Sequence, residues 1–259
     1  MTVQRTVVIT GAASGIGKAT AALAEERGWR ALRVDRQKGD VRVDLSTTDG
    51  RRRMIEEIAA SAGGTLDAVI ACAGVSPPGA TAVPIVQINY FGAIATMHDL
   101  RPLLARGSAP RAVVVSSWAS IQTVEPALID ACLADDEALA VRLAAELESP
   151  NTYATSKAAV ARWVRRNALA PDWLDAGILL NAIAPGMVAT PMIQAMIDSP
   201  ETRAELEKFM PRPLRRDARP REIAELLCWL ASPVSSIVVG QVIFADGGSE
   251  LAVRGDARW

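Results

Sequence analysis

Short runs of apolar, largely β-branched residues alternate with longer amphipathic segments along most of the chain. Such runs are typical of strands buried on both faces, and helices between them indicate a parallel sheet covered on both sides. The predicted strands are Thr6–Thr10, Ala31–Asp35, Val41–Leu45, Asp67–Ala71, Ala112–Ser116, Gly177–Ile183 and Val239–Ala245. The sequence therefore predicts a single doubly wound α/β domain over residues 1–259, with a parallel sheet of about seven strands.

Helical patterns fill most of the segments between the predicted strands. They cover a segment from Gly15 to Gly28, then Thr48–Ala62, Val86–Arg106, Thr152–Ala168 and Pro220–Ala231. One connection is unusual, because five residues separate Asp35 from Val41, whereas a crossover between parallel strands normally takes about a dozen or more. Either the strand predicted at Val41–Leu45 is very short, or an extended loop replaces the usual helix.

Charge and hydropathy exclude several classes of function. The 259 residues carry a net charge of -1, so the chain lacks the basic surface that binds nucleic acid or an anionic membrane. No signal-peptide pattern precedes the first strand, and no apolar stretch reaches the ~18 residues that span a bilayer. We therefore expect a cytoplasmic protein with no nucleic-acid or membrane partner.

The rare side chains narrow the chemistry further. His98 is the one histidine, so sites with several histidine ligands are excluded and a Ser-His-Asp triad could only be built on this residue. Cys72, Cys132 and Cys228 lie far apart in sequence and are expected to be reduced thiols. We predict no metal site, and we interpret His98 as a structural residue.

A glycine-rich turn, Thr10–Gly17, stands directly between the first strand and the first helix. In such a turn Gly11 permits the tight bend, Gly15 lets the backbone approach a pyrophosphate, and Gly17 lets helix and strand pack closely. The amides at the helix N-terminus attract the anion. Glycines also occur in ordinary loops, but the position of this turn favours a dinucleotide site.

Asp35 ends the second strand, 18 residues after Gly17. This is close to the spacing expected for the carboxylate that binds the adenosine ribose, which selects NAD over NADP. Arg36 could instead attract a 2′-phosphate, so NADP remains a less favoured alternative, and Asp35 could also simply bond the backbone at the start of a loop. Asp44 either accepts from the adenine amino group or caps the next turn.

Tyr153 and Lys157 are four residues apart in a predicted helix, so their side chains share one face. A neighbouring ammonium favours the phenolate, and we expect it to lower the pKa of Tyr153 from its reference value of about 10. Tyr153 is thereby predicted to be a general acid/base. The alternative is a solvated lysine beside a half-buried tyrosine, although a chance pairing is uncommon in a chain with two tyrosines.

Further motifs follow in a fixed order. They are Cys72-Ala73-Gly74, Asn89, Ser116-Ser117, Asn181, Pro185-Gly186, Thr190, Met192 and Asp246-Gly247-Gly248. Together with the glycine-rich turn, the two aspartates and the Tyr-Lys pair, they make the chain resemble the short-chain dehydrogenase/reductase family over essentially its whole length. Within that family it is most similar to the bacterial 3α-hydroxysteroid dehydrogenase/carbonyl reductase branch. The resemblance implies a Rossmann-type fold and an NAD-dependent oxidoreductase.

The resemblance also implies roles for single residues. Tyr153 would transfer the proton, Lys157 would lower its pKa and hold the nicotinamide ribose, and Asn89 would support a water relay. Ser117 would bond the substrate oxygen, with Ser116 as the alternative because neighbouring strand residues point to opposite faces. The implied cofactor contacts are Gly11, Ser14, Gly15, Ile16, Gly17, Asp35, Asp44, Leu45, Cys72, Ala73, Gly74, Tyr153, Lys157, Pro185, Gly186, Val188 and Thr190. A buried helix position for Asn89 and a helix N-cap role for Thr190 stay open.

The chain departs from the family pattern at two places. Cys72 stands where the family commonly has asparagine, which we interpret as a tolerated change. Residues 121–150 form an insertion between Ser117 and Tyr153, and the Ala/Leu-rich part Pro126–Glu148 predicts an amphipathic helix or a helical pair. We expect the insertion to obstruct the usual tetramer and to leave a homodimer through Pro220–Ala231 and the last strand, with a tetramer as the alternative.

A methionine-rich apolar segment, Met187–Ile197, continues to Phe209–Pro211 and resembles a lid over a hydrophobic substrate. We expect Ser117, Trp118, Met187 and Met192 to line the pocket. These residues favour an apolar secondary alcohol or ketone of the steroid, terpene or aryl type. The alternatives are an NADP-preferring carbonyl reductase, a nucleotide-binding regulator or scaffold without turnover, and a methyltransferase on a related fold.

Overall fold

The computed structural model describes residues 4–194 and 198–256, and within these ranges seven strands form one sheet. The strands are β1 (Thr6–Thr10), β2 (Arg30–Asp35), β3 (Val41–Arg42), β4 (Ala68–Ala71), β5 (Arg111–Val115), β6 (Leu179–Pro185) and β7 (Val242–Ala245). All neighbouring pairs are parallel, in the order β3-β2-β1-β4-β5-β6-β7. The predicted doubly wound fold is confirmed. Because the strand order reverses between β1 and β4, a crevice opens there at the carboxyl ends of the strands.

Helices cover both faces of this sheet. They are α1 (Gly15–Glu26), α2 (Thr48–Ser61), α3 (Ala82–Val86), α4 (Ala93–Leu104), α5 (Pro126–Leu133), α6 (Glu137–Ala145), α7 (Ser149–Asn167), α8 (Pro171–Leu174), α9 (Pro200–Phe209), α10 (Pro220–Leu230) and α11 (Ser249–Arg254). A π-helical turn, Gln87–Gly92, joins α3 to α4, and a 3-10 turn, Trp118–Ile121, follows β5. None of the helices in the described ranges is long and apolar enough to cross a membrane.

The core has two layers, one on each side of the sheet. Strand alternation divides β1 between them, since Val7 and Ile9 pack with α1 and α10 while Val8 packs with α2, α4 and α7. All three side chains are fully buried. The continuous apolar run in β1 is thereby explained, because both of its faces are covered by helices.

Several strand boundaries differ from the prediction by one or two residues, and the largest differences, three residues each, are in β3 and β7. Of the predicted strand Val41–Leu45 only Val41–Arg42 is present, and the chain reaches it from β2 through an extended loop, so both readings of this short connection are correct. The last strand starts at Val242 rather than Val239. The side chain of Asn181 explains this later start. Its Nδ2 donates to the Val238 carbonyl and its Oδ1 accepts from the Gln241 amide, so these two backbone groups are not used for pairing between strands.

The insertion forms a helical pair, α5 and α6, which is one of the two predicted forms. Leu128 and Cys132 of α5 and Ala140 and Ala144 of α6 are fully buried. They belong to the same apolar layer as α2, α4 and α7. The insertion is therefore part of the core and not an appendage on the surface.

Candidate active site

The glycine-rich turn after β1 packs too tightly for other residues. A Cβ on Gly17 would lie 2.2 Å from the Gly11 carbonyl oxygen, and a Cβ on Gly11 would lie 2.9 Å from the Ala73 Cα. Gly15 has a φ of +50°, and a Cβ there would lie 3.2 Å from the Thr190 Cγ2. The turn is therefore held close to the segment that follows β4 and to the segment that follows β6, as a dinucleotide site requires.

The N-terminus of α1 offers a place for an anion. Ser14 is the N-cap, but its side chain makes no capping hydrogen bond, and the first turn contains no acidic residue. The first amides of a helix have no partner within the helix, and they carry the positive end of its dipole. These amides therefore fit a pyrophosphate that approaches past Gly15.

Two connected cavities lie at the crevice between β1 and β4. The larger, of about 260 Å³, is the cofactor cleft, and the smaller, of about 100 Å³, is the catalytic cavity. The cofactor cleft is lined by the predicted residues Gly11, Ser14, Gly15, Ile16, Gly17, Asp35, Asp44, Leu45, Cys72, Ala73, Gly74 and Thr190. The catalytic cavity adds Tyr153, Lys157, Pro185, Gly186 and Val188. The structure therefore brings all predicted cofactor residues to one continuous space.

Sequence reasoning missed several lining residues of these cavities. They are Ala13, Val34, Gln37, Val43, Val75, Ile88, Val115, Pro191 and Ile193. Most of them directly neighbour a predicted site residue or end a strand. The rule that ligands bind at the carboxyl ends of parallel strands could have identified Val34 and Val115.

Asp35 is fixed at the mouth of the cofactor cleft by the backbone. Its Oδ2 accepts a hydrogen bond of 3.1 Å from the Ala13 amide, and its Oδ1 accepts one of 2.8 Å from the Gln37 amide. The alternative role, bonding the backbone at a loop start, is thus present. The same two bonds hold the carboxylate in the wall of the cleft.

Asp44 combines a turn cap with a contact to Arg36. Its Oδ1 accepts from the Ser46 amide at 2.9 Å and from the Ser46 hydroxyl at 2.7 Å, while Oδ2 lies 3.9 Å from the Arg36 Nη1. Partial burial opposes ionisation of Asp44, but the bonds from Ser46 and the charge of Arg36 outweigh it and hold the pKa below its usual value. Arg36 therefore faces a carboxylate within the cofactor cleft.

Ser116 and Ser117, the two residues after β5, both line the catalytic cavity, but their hydroxyls make different contacts. The Ser116 hydroxyl donates to the Lys157 carbonyl at 2.8 Å and is buried beneath α7. Ser117 lines the catalytic cavity together with Tyr153, and its side chain opposes the rise in the pKa of Tyr153. The Ser117 oxygen accepts from the Ala119 amide at 3.1 Å, which orients the side chain. Of the two serines, Ser117 has the geometry to meet a substrate oxygen.

The pKa of Tyr153 is shifted in the opposite direction to the prediction. Burial raises it above its usual value, and Ser117 opposes this only in part. Burial also lowers the pKa of Lys157 to about 8. The Lys157 Nζ donates to the Val115 carbonyl at 2.9 Å. The sequence pattern shows that Tyr153 and Lys157 share a helix face, but not that this face is buried, and burial disfavours both charged forms.

Asn89 lies in the π-helical turn and is fully buried. Its Oδ1 accepts from the Val75 amide at 2.8 Å, and its Nδ2 donates to the Val75 carbonyl at 2.9 Å. A Cβ on Gly74 would lie 3.1 Å from the Asn89 Oδ1 and 3.5 Å from the Lys157 Nζ. The side chain therefore acts as a brace for the loop after β4, next to the catalytic cavity. The water relay stays a prediction.

Cys72 is half-buried and lines both cavities. Burial raises the pKa of its thiol to about 12. The thiol is therefore uncharged at neutral pH and serves as a small apolar wall at the position where the family commonly has asparagine.

Other rare side chains lie outside the two cavities. His98 is exposed on α4, with its Nδ1 3.1 Å from the Asp99 carboxylate. Cys132 and Cys228 are buried, and burial raises the pKa of each thiol to about 12. Across residues 4–194 and 198–256, no three His, Cys, Asp or Glu side chains group as metal ligands.

Two of the four predicted substrate-pocket residues are not brought to the catalytic cavity. Met187 lines a separate cavity of about 30 Å³, because its carbonyl and the neighbouring Val188 pair with Ala218 and turn its side chain away. Trp118 is buried, 4% exposed, and does not line the cavity. Ser117 and Met192 do line it. The part of the predicted lid at residues 195–197 lies outside the described residues.

Comparison with known proteins agrees with this geometry. The "short chain dehydrogenase" family model matches residues 5–127, and the "Enoyl-(Acyl carrier protein) reductase" model matches residues 138–250. The chain is 38% identical to the 3-alpha-hydroxysteroid dehydrogenase/carbonyl reductase of Comamonas testosteroni, over 96% of this chain and 97% of that protein. It is 30% identical to the cis-4-hydroxycyclohexanecarboxylate dehydrogenase of Sinomonas cyclohexanicum, over 95% of this chain and 96% of that protein.

A solved structure shows the same architecture. The 3-alpha-hydroxysteroid dehydrogenase from Pseudomonas sp. B-0831, complexed with NADH, superposes with a TM-score of 0.90 at 38% identity. The match covers 97% of this chain and 99% of that one. The glycine-rich turn, the shared cavity of Ser117 and Tyr153 and these similarities lead to one conclusion: the chain belongs to the short-chain dehydrogenase/reductase family of oxidoreductases.

Proposed function

We propose that the chain is a cytoplasmic, NAD-preferring dehydrogenase that moves a hydride between a secondary alcohol carbon and C4 of the nicotinamide. The observation that carries the proposal is the meeting of Ser117, Tyr153 and Lys157 at a cavity continuous with the glycine-turn cleft. When bound, the nicotinamide supplies the hydride acceptor or donor. The NADH complex of the Pseudomonas relative supports this cofactor.

Ser117 and Tyr153 handle the oxygen of the substrate. Both side chains line the catalytic cavity, so one substrate oxygen can contact both. In ketone reduction the phenol of Tyr153 donates its proton to that oxygen as the hydride reaches the carbon. In alcohol oxidation the Tyr153 oxygen takes the hydroxyl proton. Lys157 contributes a positive charge behind Tyr153 below about pH 8.

The preference for NAD over NADP rests on two carboxylates. Asp35 is held in the wall of the cleft, where it can accept from ribose hydroxyls and repel a 2′-phosphate. Arg36 is the side chain that could attract this phosphate, and it lies 3.9 Å from Asp44. The attraction to Asp44 therefore competes with phosphate binding.

The substrate class follows from the walls of the catalytic cavity. Val75, Val115, Val188, Met192 and Ile193 line it, so its walls are mostly apolar. A sugar would leave several hydroxyls unpaired against these walls, whereas an apolar ring would not. We infer an apolar secondary alcohol or ketone of the steroid, terpene or aryl type. The name of the Comamonas relative, which concerns a hydroxysteroid, supports this class, and the name of the Sinomonas relative supports a cyclic alcohol.

The test is turnover by the purified protein with NAD or NADP and a panel of steroid, terpene, aryl and sugar alcohols, followed by formation of reduced nicotinamide. Tyr153→Phe should lower kcat by roughly 10²- to 10⁴-fold while NAD binding persists. The matched control is Tyr90→Phe, since Tyr90 is the other tyrosine and is buried in the core. Substantial turnover by Tyr153→Phe would exclude Tyr153 as the acid/base. NAD binding without turnover of any alcohol would favour the regulator or scaffold.

We further propose a homodimer through α10 and β7. Within residues 4–194 and 198–256, β7 is an edge strand, and the side chains of Trp229, Val234 and Ile237 are exposed. Such an edge is a ready pairing site unless it is covered. Sedimentation should give a dimer, and a stable tetramer would contradict the proposal.

A further inference from the structure

Arg51 is a buried cation that joins three segments of the chain. Its side chain lies in the first turn of α2 and is 7% exposed. Its Nη2 donates to the Glu137 Oε2 at 2.5 Å and to the Thr48 Oγ1 at 3.2 Å. Its Nη1 donates to the Glu137 Oε1 at 3.2 Å and to the Leu45 carbonyl at 3.4 Å.

The two residues that Arg51 connects, Glu137 and Leu45, lie in different parts of the fold. Glu137 opens α6, so it belongs to the insertion, and it lines neither of the two cavities. Leu45 is buried in the wall of the cofactor cleft, next to Asp44. Its carbonyl oxygen and Cβ also lie 3.1 Å from where a Cβ on Gly92 would be, so the segment packs closely against the π-helical turn.

We infer that the insertion positions the adenosine end of the cofactor cleft: Glu137 holds the guanidinium of Arg51, and Arg51 holds the Leu45 carbonyl. The inference rests on the proposed function, because it assigns the adenosine part of NAD to the cleft wall that contains Asp44 and Leu45. Glu137 and Arg51 are positioning residues, since neither needs to touch the cofactor.

Electrostatics explains why Glu137 is required. A guanidinium that is removed from water needs a counter-charge and several acceptors, and Glu137 supplies the charge with both of its oxygens. Without that charge, Arg51 is more favourable in water than beneath the cleft. The bond to Leu45 is then lost together with the ion pair, and the wall at Asp44 and Leu45 loosens.

The test uses Glu137→Gln and measures the binding of ADP and of NAD by titration calorimetry. The expected result is about a tenfold rise in the Kd of both ligands, the effect of losing one hydrogen bond from a charged donor. The kcat at saturating NAD and the KM for the alcohol should stay within twofold of the wild type, because the catalytic cavity keeps its residues. The matched control is Glu57→Gln, which removes the exposed Arg53–Glu57 pair from the same helix and should leave both Kd values unchanged.

Two outcomes would overturn the inference: Kd values for ADP and NAD equal to those of the wild type in folded Glu137→Gln, or an equal rise in Glu57→Gln. If Glu137→Gln does not fold, Arg51→Lys takes its place, because a lysine keeps the charge beside Glu137 but lacks the forked donors with which Arg51 binds both Glu137 oxygens and the Leu45 carbonyl. A folded Arg51→Lys variant with unchanged ADP affinity would equally refute it. Failure of the proposed function is a separate result, since it would show as absence of NAD binding or turnover in the wild type.

Discussion

Replacing Lys157 with methionine is expected to stabilise the fold and to remove catalysis. Lys157 is 5% exposed, and within the described residues its side chain makes one hydrogen bond, from Nζ to the Val115 carbonyl. Methionine has a similar length and no charge to desolvate. The side chain would then pack in the same channel without the penalty of a buried ammonium.

The magnitude follows from the pKa of the ammonium. Burial lowers the pKa of Lys157 from 10.5 to about 8, and one pKa unit corresponds to about 1.4 kcal/mol, so the buried charge costs about 3 kcal/mol at pH 7. Loss of the hydrogen bond to Val115 destabilises the variant by roughly 1 kcal/mol, which offsets part of the gain from removing the buried charge. The free energy of unfolding of Lys157→Met should therefore exceed that of the wild type by about 2 kcal/mol at pH 7.

The stability advantage of Lys157→Met over the wild type should also decrease as pH rises. Between about pH 8 and pH 10.5 the unfolded chain keeps the proton on Lys157 and the folded chain loses it. The unfolded state then binds more protons, so the wild type gains stability as pH rises through this window. The variant lacks this group, and its advantage should fall from about 2 kcal/mol at pH 7 to near zero at about pH 9.5.

Urea unfolding of both proteins at pH 7 and pH 9.5, with fluorescence detection, measures these differences. The comparison within each pH cancels the other titrating groups. A variant less stable than the wild type at pH 7, or an advantage that is the same at both pH values, would refute the reasoning. Lys157→Met is expected to lose kcat whichever stability result is obtained, so only the stability measurement tests the reasoning.

Three further substitutions test other parts of the site. Asp35→Ala should lower the ratio of kcat/KM for NAD to that for NADP by about tenfold, and an unchanged ratio would move cofactor selection elsewhere. Gly17→Ala should lower the free energy of unfolding by about 2–3 kcal/mol in a urea titration, because its Cβ would lie 2.2 Å from the Gly11 oxygen. Asp217→Asn should raise the KM for the alcohol roughly threefold with little change in the KM for NAD, because Asp217 ties Arg203 of α9 in the predicted lid at 2.6 Å. Equal KM values for the alcohol in Asp217→Asn and the wild type would exclude this role.

Much of the cofactor cleft could be predicted because its requirements are local. Gly17 is fixed by its close approach to the Gly11 backbone, and Asp35 by its position at the end of a strand. Local rules of this kind need the strand assignment and little else. The choice between Ser116 and Ser117 is different, because both line the catalytic cavity and the bond from Ser116 to the distant Lys157 carbonyl separates their roles.

The substrate pocket could not be predicted in the same way. Met187 is turned away because its carbonyl pairs with Ala218, a contact between segments that are 31 residues apart. Trp118 opens a 3-10 turn and is buried, which no periodic pattern indicates. In each case the direction of the side chain depends on a distant partner. Residue type alone suggested a pocket, whereas tertiary contacts determine which residues form it.

The pKa shifts of Tyr153 and Lys157 also depend on burial, which the sequence pattern does not show. The spacing of Tyr153 and Lys157 correctly places them on one helix face, but burial of that face raises the first pKa and lowers the second. At neutral pH Tyr153 is therefore a phenol, the form that can give a proton to a ketone oxygen. The reverse step needs the phenolate, which becomes more populated as pH rises, while the charge on Lys157 fades above about pH 8. The burial that makes Lys157 costly for folding thus also sets the protonation state in which the proposed acid works.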